Sequence, residues 1–304
     1  MSRIIALSGG IGGAKLALGL ASLLPPEELL IVANTGDDFE HLGLSISPDI
    51  DTLTYTLAGL DNPSLGWGRR DETWSFMETL AALGGETWFR LGDRDLALHV
   101  ERTQRLRAGE TLTAVTQRIA ARLGIRATLL PMSDDAVRTR IRTPEGWLDF
   151  QHWFVREQCR PVVLDVAFDG AAGARANPAL LAALRAQPRA IVICPSNPLI
   201  SVEPILALPG VRDAILGCGA PVLAVSPIIG GQAVKGPTAT MLRELGTAPS
   251  AAAVAQRYGA LLTHYVMEPA EDATGIAPKV IRAPTLMRTL KDKIALARTV
   301  LAAL

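Results

Sequence analysis

The chain has 304 residues with equal numbers of acidic and basic side chains, hence no formal net charge, and is 49% hydrophobic and 20% charged. That balance describes a well-buried globule and argues against a disordered chain or a strongly basic nucleic-acid binder. No run approaches the roughly 18 apolar residues of a membrane span, and the N-terminus reads as a strand without a signal-peptide pattern, so a cytoplasmic protein with no membrane partner is expected.

In chain order, Ile4-Ile5-Ala6-Leu7 reads as a buried parallel strand, and Leu16 to Leu24 reads as a helix. Between them lies Ser8-Gly9-Gly10-Ile11-Gly12-Gly13-Ala14-Lys15. A strand, a glycine turn and a helix N-terminus suit an anion, because the backbone approaches unhindered and the helix end is partly positive. The loop is not a Walker motif, since Ala14 precedes Lys15 and Leu16 follows it, nor a dinucleotide fingerprint, since Lys15 stands where the third glycine belongs. Alone, it is equally a phosphate loop or a tight turn that binds nothing.

Leu29 to Ala33 reads as a second strand, and Asn34-Thr35-Gly36-Asp37-Asp38 follows at its carboxyl end, where open α/β sheets place ligands. Asp49 and Asp51 flank Ile50 just before a helix expected over Leu53 to Leu60, so Asp51 or Thr52 is a natural cap. Glycine loop and aspartates together suggest phosphate and metal handled at one place.

Residues 66–124 read as a helical insertion, clearest over Thr73 to Leu83 and Thr111 to Leu123. Within it, Trp88-Phe89-Arg90-Leu91-Gly92-Asp93-Arg94-Asp95 is either a stacking surface with anion contacts or a solvated charged turn. Strands are expected again at Ala127 to Leu130, Pro161 to Val166, Ala190 to Cys194 and Pro221 to Val225, with a helix at Pro178 to Ala186. Alternation of this kind predicts an α/β fold, a Rossmann-like, mainly parallel sheet with helices on both faces.

Two later strands run into Cys194-Pro195-Ser196-Asn197-Pro198 and the 226–237 loop carrying Gly230, Gly231, Lys235 and Gly236. Both belong on the sheet edge that carries the first glycine loop. The alanine-rich 248–255 segment reads as flexible surface, and Thr285 to Leu304 as an amphipathic closing helix. Cys159, Cys194 and Cys218 fit neither a disulfide framework nor a zinc motif, and His41, His99, His152 and His264 have no metal-ligand spacing.

Taken in register, the 8–15 loop, Asn34 to Asp38, Ser47-Pro48-Asp49-Ile50-Asp51-Thr52, Leu91 to Asp95, Pro131 to Asp135, Pro195 to Pro198, Ser226 to Gly230 and Val234 to Pro237 resemble the 2-phospho-L-lactate transferase family of coenzyme F420 biosynthesis. The resemblance covers nearly the whole chain. It implies a transferase that moves a phospho-acid (2-phospholactate, phosphoenolpyruvate or 3-phosphoglycerate) from its GDP-activated form to the ribityl hydroxyl of 7,8-didemethyl-8-hydroxy-5-deazariboflavin, releasing GMP.

It also implies a Rossmann-like fold, Mg2+ as cofactor and a homodimer. On that resemblance Asp49 and Asp51 are the expected catalytic and metal residues, and Asp51 with Arg90 the deazaflavin site, where lysine is common in place of Arg90. Gly10, Gly12, Lys15, Ser196, Asn197 and Lys235 are assigned to the nucleotide, Asp37 and Asp38 to a supporting or capping role, and Trp88 and Phe89 to the ring-binding side or the core. The alternatives are another nucleotide-dependent transferase or kinase, whose signatures are absent, and a non-catalytic nucleotide-sugar-binding regulator of the same fold.

Overall fold

The protein is described from a computed structural model, which covers residues 3–63, 66–234 and 236–304. β1 (Ile4–Ser8) and β2 (Leu29–Ala33) are buried at every position, as strands covered on both faces must be. Between them, α1 (Gly10–Ala21) begins inside the glycine loop, earlier than its apolar periodicity suggests. A short hairpin, β3 (Phe39–His41) and β4 (Leu44–Ile46), then leads into α2 (Pro48–Leu57), started by a proline whose missing N–H costs nothing in a first turn.

Three helices follow: α3 (Ser75–Ala82), α4 (Asp93–Arg107) and α5 (Leu112–Arg122). The first and last lie where periodicity places them. The middle one occupies sequence that reads as charge rather than as an apolar stripe. The chain re-enters the sheet at β5 (Thr128–Pro131), then leaves it for an antiparallel side sheet of β6 (Arg138–Thr143), β7 (Gly146–Asp149) and β8 (Asp165–Asp169).

The strand expected at Pro161 to Val166 is therefore displaced. Pro161 to Leu164 are not strand, and β8 pairs antiparallel with β6 instead of joining the parallel sheet, leaving Val162 and Leu164 exposed. An apolar run marks burial or pairing, and cannot say which sheet supplies the partner.

The remainder runs α6 (Pro178–Arg185), β9 (Ala190–Ile193), α7 (Glu203–Leu206), α8 (Val211–Gly217) and β10 (Val222–Val225). A small hairpin, β11 (Ile228–Ile229) and β12 (Gln232–Ala233), precedes α9 (Thr238–Glu244), α10 (Ala251–Tyr258), β13 (His264–Met267), β14 (Lys279–Arg282) and α11 (Leu290–Ala302). The alanine-rich segment is thus helix α10, not flexible surface: Ser250 caps it, and Ala251, Val254 and Ala255 are buried. The amphipathic C-terminal segment narrows to α11, whose start is set by a Thr289/Asp292 capping box.

The seven-stranded central sheet has the order β14-β13-β10-β9-β1-β2-β5 and every pairing in it is parallel. Alternate residues of each strand feed two separate cores. Ile5, Leu7, Leu30, Val32, Ile191 and Ile193 face one, with Leu180, Ile215 and Val254 of α6, α8 and α10. Ile4, Ala6, Leu29, Ile31 and Val192 face the other, with Leu16 and Leu20 of α1 and Leu296 and Val300 of α11.

Gly19 lets α1 and α11 touch backbone to backbone, since a Cβ there would collide with the Lys293 carbonyl. Chain order runs outward from β1 to β2 and β5 on one side and from β9 to β14 on the other. The sheet therefore reverses its winding between β1 and β9, and a crevice opens at their carboxyl ends.

Candidate active site

The crevice is a cavity of about 750 Å³ at the carboxyl edge of the sheet. Its walls bring together Gly10, Gly12, Lys15, Asp49, Asp51, Arg90, Ser196 and Asn197, from four separate stretches of chain, and also Ser226 and Pro227 from the loop after β10 and Thr238 at the start of α9. Lys235 lies outside the described residues. The three loops expected on one edge do share it.

The glycine loop is shaped by what presses on it. A Cβ at Gly12 would run into the Pro195 carbonyl, and one at Gly13 into the hydroxyls of Ser8 and Ser196. Ser196 ties the β1 and β9 loops together, its Oγ accepting from Gly9 N (3.2 Å) and donating to Gly9 O (2.7 Å). Gly10 sits at φ +63° and its N–H donates to Asp49 Oδ1, so this amide at the start of α1 already faces a carboxylate. Lys15 lines the cavity while its ammonium donates to the Met287 carbonyl at 2.8 Å. Asn197 accepts from Leu199 N and so caps the turn at Pro198–Val202.

Asp49 and Asp51 are both in the first turn of α2, because the helix begins at Pro48 rather than Leu53. Neither Asp51 nor Thr52 is the cap. Ser47 holds that position, and its hydroxyl donates to Asp38 Oδ2 (2.8 Å) instead of the helix end. Two residues apart on a helix, the aspartates diverge. Asp49 Oδ2 takes the Asn34 amide (2.9 Å), which also reaches Asp37 Oδ1 (3.2 Å) and the Ile200 carbonyl (3.2 Å).

Burial lifts the Asp49 carboxyl to about 6, against the pull of its hydrogen bonds from Asn34 and Gly10. Burial, then the charges of Asp49 and Asp38, pushes Asp37 well above the ordinary carboxylate range. Burial likewise lifts Asp38 to about 7, although Arg138 and the Ser47 hydrogen bond oppose it. Burial thus makes it costly to ionise these three clustered carboxyl groups.

Aromatic residues form another part of the lining. Trp67, Trp88, Phe89, Phe150 and Phe154 line the cavity. Trp88 packs between His41 (4.9 Å) and His152 (4.7 Å), and Phe39 meets Phe89 edge-on at 4.8 Å. Arg90 lines the cavity with its guanidinium carbon 4.0 Å from the centre of the Trp74 ring, a cation–π contact that aims it.

Four further residues reach the site without having been singled out. Asn34 and Gln151 are its buried amides, Gln151 also lining the cavity and approaching Asp37 Oδ2 at 3.5 Å. His99 and Arg102 are buried on α4, and with Asp95 their 95, 99, 102 spacing sets three polar groups on one helix face. That spacing is the signal the sequence carries, and neither the stacking surface nor the charged turn expected at residues 88–95 extends to it.

Fold and cavity define a Rossmann-like α/β protein whose cavity lies at the topological switch point, where such sheets place ligands. Comparison with known proteins narrows this. Residues 4–277 match the family described as 2-phospho-L-lactate transferase CofD. The chain is 40% identical to a phosphoenolpyruvate transferase from Kitasatospora aureofaciens, over 99% of this chain and 97% of that one. It is 37% identical to the protein of the same name from Mycolicibacterium smegmatis, over 97% of each.

Among solved structures, a UPF0052-family protein from Bacillus halodurans superposes with a TM-score of 0.64 at 16% identity, covering 99% of this chain and all of that one, which is likeness of fold alone. The chain belongs to the 2-phospho-L-lactate transferase family and is a transferase.

Proposed function

We propose that the protein transfers a phospho-acid from a guanosine-diphosphate-activated donor to the ribityl hydroxyl of 7,8-didemethyl-8-hydroxy-5-deazariboflavin in coenzyme F420 biosynthesis, and that the acid is phosphoenolpyruvate. The observation that carries the reading is one cavity lined by a glycine loop, buried carboxylates and several aromatic rings. Such a cavity has room for an activated phosphate and a flat acceptor at once. The relatives' name supplies the acid.

In the reaction, the acceptor's hydroxyl oxygen bonds to the phosphorus bearing the enolpyruvyl group, the bond from that phosphorus to the GMP phosphate oxygen breaks, and the hydroxyl proton is released. The donor's diphosphate is assigned to the loops of Gly10, Gly12 and Ser196, where glycines let an anion approach the backbone at the start of α1. Lys15 and the neighbourhood of Asn197 and Lys235 serve the nucleotide. Trp88 and Phe89 stack the deazaflavin, Arg90 contacts it, and Asp51 accepts the hydrogen bond of the attacking hydroxyl.

Magnesium suits these residues. Among the described residues no three His, Cys, Asp or Glu side chains form a metal cage, but Mg2+ is ordinarily held by one or two carboxylates together with substrate phosphates and water. Asp49 and Asp37, both buried and bridged by the Asn34 amide, are the residues that would hold it. Bound there, the ion would neutralise charge developing on the phosphates.

The test offers the purified protein Mg2+, the deazaflavin and each guanylylated acid in turn, with products followed by chromatography and mass. A product carrying one enolpyruvyl phosphate is expected. Guanine-nucleotide binding without turnover of any donor would replace this reading with that of a nucleotide-binding regulator.

A further inference from the structure

The two aspartates at the start of α2 have different backing. Neutral groups, Gly10 N–H and the Asn34 amide, hold Asp49. A permanent cation holds Asp51. Arg102 of α4 is 1% exposed and grips both carboxylate oxygens, Nη1 donating to Oδ2 at 3.2 Å and Nη2 to Oδ1. Nη1 also donates to the Ser45 carbonyl (3.2 Å) and meets His99 Nδ1 at 3.3 Å.

A guanidinium only donates, so His99 Nδ1 meets it as an acceptor, and His99 Nε2 lies 3.1 Å from Asp95 Oδ2, close enough for an ion pair. The other Asp95 oxygen accepts the hydroxyl of Tyr55, one turn along α2 from Asp51. The result is a closed ring from α2 to α4 and back: Asp51, Arg102, His99, Asp95, Tyr55.

Asp51, Tyr55, Asp95 and His99 border the cavity, and Arg102 stands behind them. With its charge matched and both oxygens engaged, Asp51 has little to offer a second cation, yet each oxygen keeps a lone pair for a hydroxyl. Among the described residues no arginine grips Asp49 in this way, and it accepts from the Gly10 N–H and the Asn34 amide.

Resting on the transferase reading, we propose that Arg102 is a positioning residue: it fixes the Asp51 carboxylate for the acceptor's hydroxyl and withholds it from the metal, which is left to Asp49 and Asp37. Asp95, His99 and Tyr55 hold the guanidinium in that pose.

The test separates metal from acceptor. Manganese binding, read by electron paramagnetic resonance with and without GDP, should fall at least about tenfold in D49N and stay within about threefold of wild type in D51N and R102M, as expected when only the first removes a metal-holding carboxylate. Deazaflavin affinity, read by fluorescence, should fall about tenfold to a hundredfold in D51N and R102M, the usual range for losing a ligand or its orienting partner, with GDP affinity unchanged. The double variant should be no weaker than the worse single, because both remove one contact.

R102K should restore part of the acceptor affinity, which a role in folding alone would not predict, and it carries the same comparison where R102M fails to fold. The proposal is overturned if D51N loses manganese as D49N does, if R102M weakens GDP and deazaflavin equally, or if the wild type binds no manganese in either condition. A wild type that binds no deazaflavin sinks the transferase reading, while the manganese series still decides which carboxylates take the metal.

Discussion

At the residue scale, the acidic cluster sets the chemistry and its cost. D49N removes the charge beside the glycine loop while its amide can still hydrogen-bond. It is expected to lower kcat by about a hundredfold to a thousandfold, the effect of deleting a group that stabilises transition-state charge, with the fold intact by circular dichroism. The cluster also predicts a pH dependence. Asp38 and Asp49 titrate near 7 and 6 in the folded protein, above the ordinary carboxylate value, so the folded state binds these protons more tightly than the unfolded one. Their stabilising contribution is complete below about pH 4, the unfolded carboxylate range, and is lost as pH rises through 6 and 7. Thermal melts of chelator-treated protein should show Tm falling from pH 5 to pH 8, with added Mg2+ restoring it at pH 8. A Tm that rises over that interval refutes the prediction.

At the element scale, the glycine loop and α10 give contrasting cases. A Cβ at Gly12 meets the Pro195 backbone, not a side chain that can swing away, so Gly12→Ala must part the β1 and β9 loops. GDP affinity measured by calorimetry should drop by more than tenfold, and stability by about 1–3 kcal/mol, the usual cost of overpacking. Ser250→Ala removes only the cap of α10, where Ser250 Oγ accepts from Ala253 N, and should cost about 1 kcal/mol in urea unfolding without changing nucleotide binding. The legibility of elements followed the same division. Strands β1, β2, β9 and β10 are uninterrupted apolar runs and were readable because total burial leaves no other pattern. Helix α4 was not, since its buried face carries His99, Arg102 and Thr103, polar groups that a hydrophobic period does not register. β8 was misplaced because pairing with β6 half-buries it without enclosing it.

At the scale of the whole molecule, a ligand that binds only the folded state stabilises all of it. GDP at a hundred times its Kd should add about 2.7 kcal/mol to the unfolding free energy in denaturant titrations. An unchanged midpoint would remove GDP from the proposed donor site. Family membership, the Rossmann-like class and the part of the cavity lining that carries motifs, from the glycine loop, Asp49 and Asp51 to Trp88 and Phe89, were determined by the sequence itself, because motifs spaced along a chain and runs of apolar residues survive without coordinates. Which partner each residue meets was decided only by the tertiary structure. Asp51 and Arg102 are 51 residues apart, and Asn34 and Ile200 are 166 apart. No local pattern encodes such pairs, since they exist only once α4 packs beside α2 and β9 comes to lie against β1. Two aspartates that look alike in sequence thereby acquire different surroundings, one beside neutral donors and one against a buried guanidinium.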